Sequence, residues 1–79
     1  MKIRVDVMLK QGVLDPQGKA IAHALQGMGF SEVQDVRAGK VIELEIAESD
    51  PAAAQSKAKS MAEKLLANMV IEDYRIHVA

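Results

Sequence analysis

The chain has 79 residues, a formal net charge of −1 and no cysteine. This length allows one domain, residues 1–79, whose small core leaves a thin margin of stability and favours association. Interspersed charges argue against nucleic acid or anionic lipid as partners, and the lack of cysteine excludes disulfides, thiolate metal sites and cysteine nucleophiles. Since no apolar run approaches the roughly 20 residues of a membrane helix, we expect a cytoplasmic protein.

The first third of the chain predicts a strand and then a helix. Apolar residues alternate from Ile3 to Leu9, which is the period of a strand with one buried face. Asp15-Pro16 predicts a helix start, because the Asp side chain can cap a free amide and a Pro at the first position loses no needed donor. Gly29 predicts a left-handed cap at the end of this helix. The apolar stripe of the helix consists of Ile21, Ala24, Leu25 and Met28.

The remainder predicts a hairpin, a second helix and a last strand. The hairpin would turn at Ala38-Gly39, between a strand that starts near Val33 and one that ends near Ile46. Asp50-Pro51 repeats the helix start, and Asn68 predicts a left-handed stop. The stripe of this helix consists of Ala54, Ala58, Met61, Ala62, Leu65 and Leu66, and the last strand contains Tyr74, Ile76 and Val78.

This order, βαββαβ, predicts an α+β fold: an antiparallel sheet with both helices on one face, in a ferredoxin-like arrangement. The second face of the sheet would be mostly charged and would either be solvated or pair with another subunit. We expect association into a dimer or higher homo-oligomer. The residues predicted on that face are Lys2, Arg4, Glu43, Glu45, Arg75 and His77, together with Met8 and Val41.

The residue inventory argues against catalysis and metal binding. His23 and His77 have no neighbouring nucleophile and carboxylate at a readable spacing, and the pair Glu43 and Glu45 is typical of a solvated sheet face. No metal-ligand spacing occurs. The carboxylate of Asp15 would repel a phosphate from the first helix start. An acylphosphatase would need an Arg in the loop after the first strand, and the loop Q-G-V-L-D-P-Q-G has none. An RNA-recognition module would need aromatic residues on its middle strands, where this chain has Ile3, Val5, Leu44 and Ile46. Both classes are therefore excluded.

Two features of the segment L-K-Q-G-V-L-D-P-Q-G are not explained by the residue preferences of ordinary turns. Val13 and Leu14 are apolar residues in a predicted loop, and Gly18 lies in the first turn of a helix, where Gly costs about 0.5–1 kcal/mol relative to Ala. An apolar loop beside a helix start rich in small residues is typical of a docking surface.

The same segment carries a family resemblance. Together with L-Q-G-M-G-F, V-R-A-G-K and L-L-A-N followed by V-I-E-D-Y, it makes the chain resemble, from end to end, the PurS family. PurS is the small subunit of the multi-subunit phosphoribosylformylglycinamidine (FGAM) synthase of purine biosynthesis. One departure is that Met69 stands where the family usually has Pro.

The resemblance implies a non-catalytic subunit that pairs with itself and bridges a glutaminase subunit (PurQ) and an ATP-dependent synthetase subunit (PurL). It also implies that this subunit assists the passage of ammonia, while ATP and Mg are used by the synthetase and no cofactor is bound by this chain. In this interpretation Gly18 allows close backbone approach at an interface, so that Gly18→Gln would preserve the helix and weaken assembly. The predicted partner contacts are Gly12, Val13, Leu14, Asp15, Pro16, Gln17, Gly18, Arg37, Lys40, Asn68 and Glu72.

A second hypothesis is a regulatory module that binds a small molecule between paired βαββαβ units. Such modules use a Gly-bearing loop after the first strand and the following helix start, for which Gly12 and Asp15 could serve. Tight binding of glutamine or a purine nucleotide by the isolated chain, measured by calorimetry, would favour this module over a bridging subunit.

Overall fold

A computed structural model describes residues 1–78, so Ala79, the last residue of the predicted domain, lies outside the described residues. It contains a three-stranded antiparallel sheet in the order β2-β1-β3. This confirms the predicted α+β class and the antiparallel sheet. The elements are β1 (Lys2–Leu9), α1 (Pro16–Gly27), β2 (Gly39–Glu45), α2 (Pro51–Met61), a π-helical turn (Ala62–Leu66) and β3 (Glu72–Val78).

The core lies between β1 and α2. Strand β1 is central in the sheet, and its alternate side chains Ile3, Val5 and Val7 are fully buried. Helix α2 crosses β1 and β3 with an alanine face, which lets its backbone come close to the sheet. The alanines buried there are Ala54, Ala58 and Ala62.

The predicted start of each helix and the predicted end of the first helix are confirmed. Pro16 and Pro51 occupy the first turns of α1 and α2, and the carboxylates of Asp15 and Asp50 cap the two helices. Gly29 has φ +101°, the left-handed conformation predicted for it. The Phe30 amide then donates to the Leu25 carbonyl at 3.0 Å, which satisfies a carbonyl at the end of α1.

The strand predicted from Val33 to Ala38 does not form in the described residues, so the predicted hairpin at Ala38-Gly39 is wrong. Residues 33–38 are irregular, and β2 begins at Gly39. The Ala38 amide donates to Asp15 Oδ2 at 2.8 Å, so it bonds to the start of α1 instead of to β2. The backbone of this segment is therefore hydrogen-bonded to the start of α1 and does not pair with β2.

The expectation that both helices cover one face of the sheet holds for α2 and is wrong for α1. No residue of α1 belongs to the described core or to the half-buried side chains packed around it. Gly18 is the one buried residue of α1. The molecule is correspondingly elongated, 48 × 24 × 14 Å.

The end of α2 departs from the predicted stripe. In the π-helical turn the Ala67 amide donates to the Ala62 carbonyl at 2.9 Å, an i to i+5 bond that changes the helical phase. Leu65 therefore faces solvent, whereas Ala67 is buried. Asn68 is not the predicted left-handed stop, since no described residue other than glycine has positive φ. Among residues 1–78, no helix is long and apolar enough to cross a membrane.

Candidate docking surface

The fold brings most of the predicted contact residues to one end of the sheet, where β1 ends and β2 and β3 begin. Met8 is paired with Gly39 of β2, and Leu9 is paired with Glu72 of β3. The Lys10 amide also donates to the Ile71 carbonyl at 2.8 Å. We call this region the loop end; it comprises residues 10–18, 36–40 and 68–72.

Asp15 is the centre of the loop end. Its Oδ1 accepts from the Gly18 amide at 2.8 Å, and its Oδ2 accepts from the Ala38 amide at 2.8 Å. These hydrogen bonds, with the Arg37 guanidinium as a further favourable charge, lower the pKa of the Asp15 carboxyl below its ordinary value of 3.8. One carboxylate therefore caps α1 and also binds the segment that returns from it.

Arg37 joins that returning segment to the end of β1. Its guanidinium donates to the Lys10 carbonyl at 3.1 Å and also to the Leu9 carbonyl. Leu9 is the last residue of β1 and Lys10 follows it, so these bonds fasten the returning segment to the end of the strand. Arg37 thus has a structural role within the chain, and its role as a partner contact stays a prediction.

Gly18 has a different role from the predicted one. It is buried, and a Cβ at this position would overlap the Val36 carbonyl oxygen of the same chain. The close backbone approach is therefore internal, between α1 and the returning segment, and does not need a partner. The expectation that Gly18→Gln preserves the helix is contradicted by this geometry, because a backbone atom occupies the space of the side chain.

Asn68 and Glu72 order the turn before β3. The Glu72 carboxylate accepts from the Asn68 amide at 2.7 Å, and Asn68 Oδ1 accepts from the Val70 amide at 3.1 Å. The Asn68 carbonyl accepts from the amides of Ile71 and Glu72. These bonds hold residues 69–71 in a tight turn and present their side chains outward.

Exposed apolar side chains lie on this turn and on the loop before α1. Val70 is 82% exposed and Leu14 is 63% exposed, while Met69 and Ile71 are each more than a third exposed. Leu14 was among the predicted contacts. Val70 and Ile71 are not among the predicted contacts, although the segment V-I-E-D-Y contributes to the family resemblance. Two apolar residues directly before a strand are easily assigned to that strand, because the sequence does not show that a turn exposes them.

Three further predicted residues, Pro16, Gln17 and Lys40, line a shallow open depression of about 430 Å³. Its lining combines the apolar ends of the strands with the start of α1 and includes Val7, Leu9, Asp15, Pro16, Gln17, Ala38, Gly39, Lys40 and Glu72. Gly12 is exposed with φ +83°, so it serves the loop turn, and Val13 is half-buried beside it.

The second face of the sheet has the predicted charged character. Lys2 pairs with Glu43 at 3.3 Å, and Asp6 is paired with Arg4 at 3.2 Å and with His77 at 2.9 Å. Most of these side chains are about half exposed, so screening by solvent leaves each pair little net stabilisation. Within residues 1–78, no group of three His, Asp or Glu side chains is placed to hold a metal ion.

Comparison with known proteins assigns the chain to a family. The family model described as PurS, phosphoribosylformylglycinamidine (FGAM) synthase, matches residues 2–79. The chain belongs to the PurS family. The PurS subunit of phosphoribosylformylglycinamidine synthase from Bacillus subtilis is 57% identical over 77 residues, which are 98% of this chain and 90% of that protein. The corresponding subunit from Methanocaldococcus jannaschii is 39% identical, over 98% of this chain and 93% of that protein.

Solved PurS structures share the fold. A Bacillus subtilis PurS crystal structure matches with a TM-score of 0.87 and 56% identity, over 99% of this chain and 96% of that chain. A chain of the Thermotoga maritima PurLQS structure also matches with a TM-score of 0.87, at 33% identity, over 96% of this chain and 93% of that chain. The arrangement with three strands and a separate α1 is therefore compatible with the fold of the family.

Proposed function

We propose that this chain is the small, non-catalytic subunit of an FGAM synthase complex in purine biosynthesis in the cytoplasm. It pairs with itself and bridges the glutaminase subunit (PurQ) and the synthetase subunit (PurL). The complex converts formylglycinamide ribonucleotide to the amidine with glutamine as nitrogen donor, and the synthetase uses ATP and Mg. Membership of the PurS family and the PurLQS structure of the Thermotoga maritima relative support this assembly.

The observation that carries the proposal is the loop end. Backbone amides donate to the carboxylates of Asp15 and Glu72, and Arg37 donates to a backbone carbonyl, so the backbone is held in place while apolar side chains are exposed to solvent. A preorganised surface of this kind binds a protein without paying the entropy of ordering a loop. Val70, Met69 and Leu14 would supply the apolar contact area, and Lys40 would supply charge at its border.

Coupling the two partner enzymes has a physical reason. Free ammonia is mostly protonated at neutral pH and is then a poor nucleophile, so it has to pass between the glutaminase and synthetase sites without equilibrating with bulk water. A bridging subunit that fixes the two enzymes relative to each other would maintain such a path. Its contribution is positioning, and this chain need not contribute a reacting group.

The test is reconstitution from purified components. The chain is mixed with the glutaminase and synthetase subunits from the same source, and complexes are measured by light scattering after size exclusion, with and without glutamine and ATP. We expect a three-component complex and glutamine-dependent synthesis only when this chain is present. Separate elution, with synthesis from glutamine in its absence, would contradict the proposal; tight binding of glutamine by the isolated chain would favour a regulatory module.

A pair of valine variants locates the contact. Val70→Asp places a charge on the loop end, and Val41→Asp places one on the charged face of the sheet; both valines are mostly exposed, so neither change should unfold the chain. We expect Val70→Asp to weaken assembly and Val41→Asp to leave it nearly unchanged. The reverse order would place the partner contact on the charged face of the sheet.

A further inference from the structure

The charged face of the sheet contains a second open depression, next to the loop end. Its volume is about 1060 Å³, and it lies over the ladder positions where Asp6 is paired with Val41 and with Arg75. Small-molecule sites occupy about 300–1,000 Å³, so the space is large enough for a small ligand. Four cationic side chains line it: Arg4, Arg37, Lys40 and Arg75.

Positive charge is in excess around Asp6. The Asp6 carboxylate is already shared, because Arg4 Nε lies 3.2 Å from Oδ1 and His77 Nε2 lies 2.9 Å from Oδ2. Arg75 lies opposite Asp6 in the ladder and is exposed. Asp73 is the other carboxylate of the described lining. The four cations of the second depression therefore outnumber its two carboxylates, although the whole chain has a net charge of −1.

The opposite half of the same face does not have this excess. There Lys2 Nζ lies 3.3 Å from the Glu43 carboxylate. Lys40 and Arg75, by contrast, form no ion pair with any residue of the described part of the chain, residues 1–78. Unpaired positive charge is thus concentrated at the second depression, where it attracts anions.

The kind of cation favours phosphate. Three of the four cations are arginines, and a guanidinium group binds phosphate oxygens through two parallel, charge-assisted hydrogen bonds. Two of these arginines are already oriented by the chain. Arg4 is held by the Asp6 carboxylate, and Arg37 is held by the carbonyls of Leu9 and Lys10. Donors oriented in advance bind an anion at a lower cost in side-chain ordering.

The rest of the lining favours a hydroxylated group beside that phosphate. Met8 and Val41 provide an exposed apolar surface within the depression. The Asp73 carboxylate accepts hydrogen bonds from hydroxyls, and the Gln11 amide can both donate and accept. Asp73 would repel a second phosphate or a run of acidic side chains. One phosphate on a sugar therefore fits the lining better than a polyphosphate or an acidic protein segment.

We propose that the second depression binds a small phosphorylated sugar, with its phosphate among the three arginines and its hydroxyls near Asp73. This function is additional to the bridging of two enzymes and does not depend on it. The site is also separate from the one considered for a regulatory module, since neither Gly12 nor Asp15 lines it. Because Arg37 also fastens the returning segment to β1, a bound phosphate would stabilise the loop end.

Calorimetry on the isolated chain tests the ligand class. Ribose 5-phosphate is the probe, and ribose is the matched control without the phosphate. We expect ribose 5-phosphate to bind with a Kd below about 1 mM at low ionic strength, and ribose not to bind at the same concentrations. Equal binding of ribose would overturn the proposal. So would the absence of ribose 5-phosphate binding at concentrations about tenfold higher.

Two variants of equal charge separate a site from diffuse attraction. Arg75→Gln removes a cation from the second depression, and Lys2→Gln removes one from the paired half of the same face; both side chains are exposed. We expect Arg75→Gln to weaken binding of ribose 5-phosphate by about tenfold or more and Lys2→Gln by less than about twofold. Thermal unfolding checks that both variants fold. Equal weakening by the two, or normal binding by Arg75→Gln, would overturn the proposal.

Amide NMR spectra of the chain locate the ligand. We expect ribose 5-phosphate to shift the signals of residues 37–41 and 73–75 and to leave those of residues 43–45 and of α1 nearly unchanged. Shifts centred on residues 12–18 would place the ligand outside the second depression. A hexapeptide of glutamate that binds more tightly than ribose 5-phosphate would assign the surface to an acidic protein segment. Either result would overturn the proposal.

The valine variants used for assembly separate this site from the bridging function. Val41 lines the second depression, whereas Val70 does not. We expect Val41→Asp to weaken binding of ribose 5-phosphate by about tenfold or more and Val70→Asp to leave it unchanged, the reverse of their effects on assembly. Equal effects of the two variants on ligand binding would overturn the site. The reconstitution assay answers separately whether the chain bridges the two enzymes.

Discussion

The two helices begin in the same way and end in different environments. Both start with Asp-Pro, both Asp side chains cap the helix, and both helices carry an apolar stripe. Helix α2 buries an alanine face in the core, whereas α1 buries Gly18 alone and leaves Ile21 and Met28 in solvent. Helical periodicity therefore identifies an amphipathic helix but does not identify the surface that covers it.

The difference follows from what holds each helix. Close packing of Ala54 and Ala58 on β1 and β3 holds α2, so the core itself determines its position. Contacts with the returning segment hold α1: the Ala38 amide donates to Asp15, Gly18 fits against the Val36 carbonyl, and Gln26 Nε2 donates to the Val33 carbonyl at 2.8 Å. A helix held by an irregular segment, and not by the core, can project from the molecule and remain oriented for a partner.

The largest expected difference between the two regions is in core stability. Ile3→Ala removes a fully buried side chain beneath α2 and should lower the free energy of unfolding by about 2–5 kcal/mol. Ile21→Ala on α1 should cost less than about 1 kcal/mol in the dissociated chain, since its side chain is already exposed there. Urea denaturation at low protein concentration measures both, and equal losses would mean that α1 packs on the core of its own chain.

A smaller difference is expected between two glycines of α1. Gly18→Ala should destabilise the chain by about 1–3 kcal/mol, because the new methyl group overlaps the Val36 carbonyl and the backbone has to move. Gly27→Ala is the control: its Cβ would meet nothing within 4 Å, and the better helix former should stabilise by about 0.5–1 kcal/mol. If thermal unfolding shows Gly18→Ala to be stabilising, the contact between α1 and the returning segment is absent in solution.

The smallest effects should distinguish the two helix caps. Asp50→Asn keeps an amide oxygen as the acceptor of the single 3.3 Å cap bond and should cost well under about 1 kcal/mol. Asp15→Asn should cost more at neutral pH, because its carboxylate accepts from two amides and faces Arg37.

The effect of Asp15 should also depend on pH in a defined direction. Because folding lowers the pKa of this carboxyl, its stabilisation is present above the ordinary value of 3.8 and is lost as the pH falls through the lower folded value. The difference in unfolding midpoint between the natural chain and Asp15→Asn should therefore shrink below pH 3.8. A constant difference from neutral to acidic pH would show that the Asp15 charge does not stabilise the fold.

Local features were predictable because their causes are local. The β1 and β3 alternation, both Asp-Pro starts and the Gly29 cap depend on residues within a few positions of one another. The predictions that were wrong depended on contacts or helix geometry that local sequence does not show. Residues 33–38 have apolar residues suited to a strand, but Ala38 bonds to Asp15, 23 residues away. Leu65 left the predicted stripe because a π-helical turn changed the phase of the helix.

The candidate site likewise has features that the sequence predicts and features that only the structure shows. Its motifs, and the resemblance they carry, are enough to identify the family and the segments L-K-Q-G-V-L-D-P-Q-G and V-R-A-G-K, since a family is encoded in residue identity and order. Whether Gly18 faces a partner or its own chain, and whether α1 covers its own sheet, depended on contacts between residues far apart in sequence. Only the tertiary structure decided these points, because the energies of competing long-range contacts differ too little to be read from local pattern.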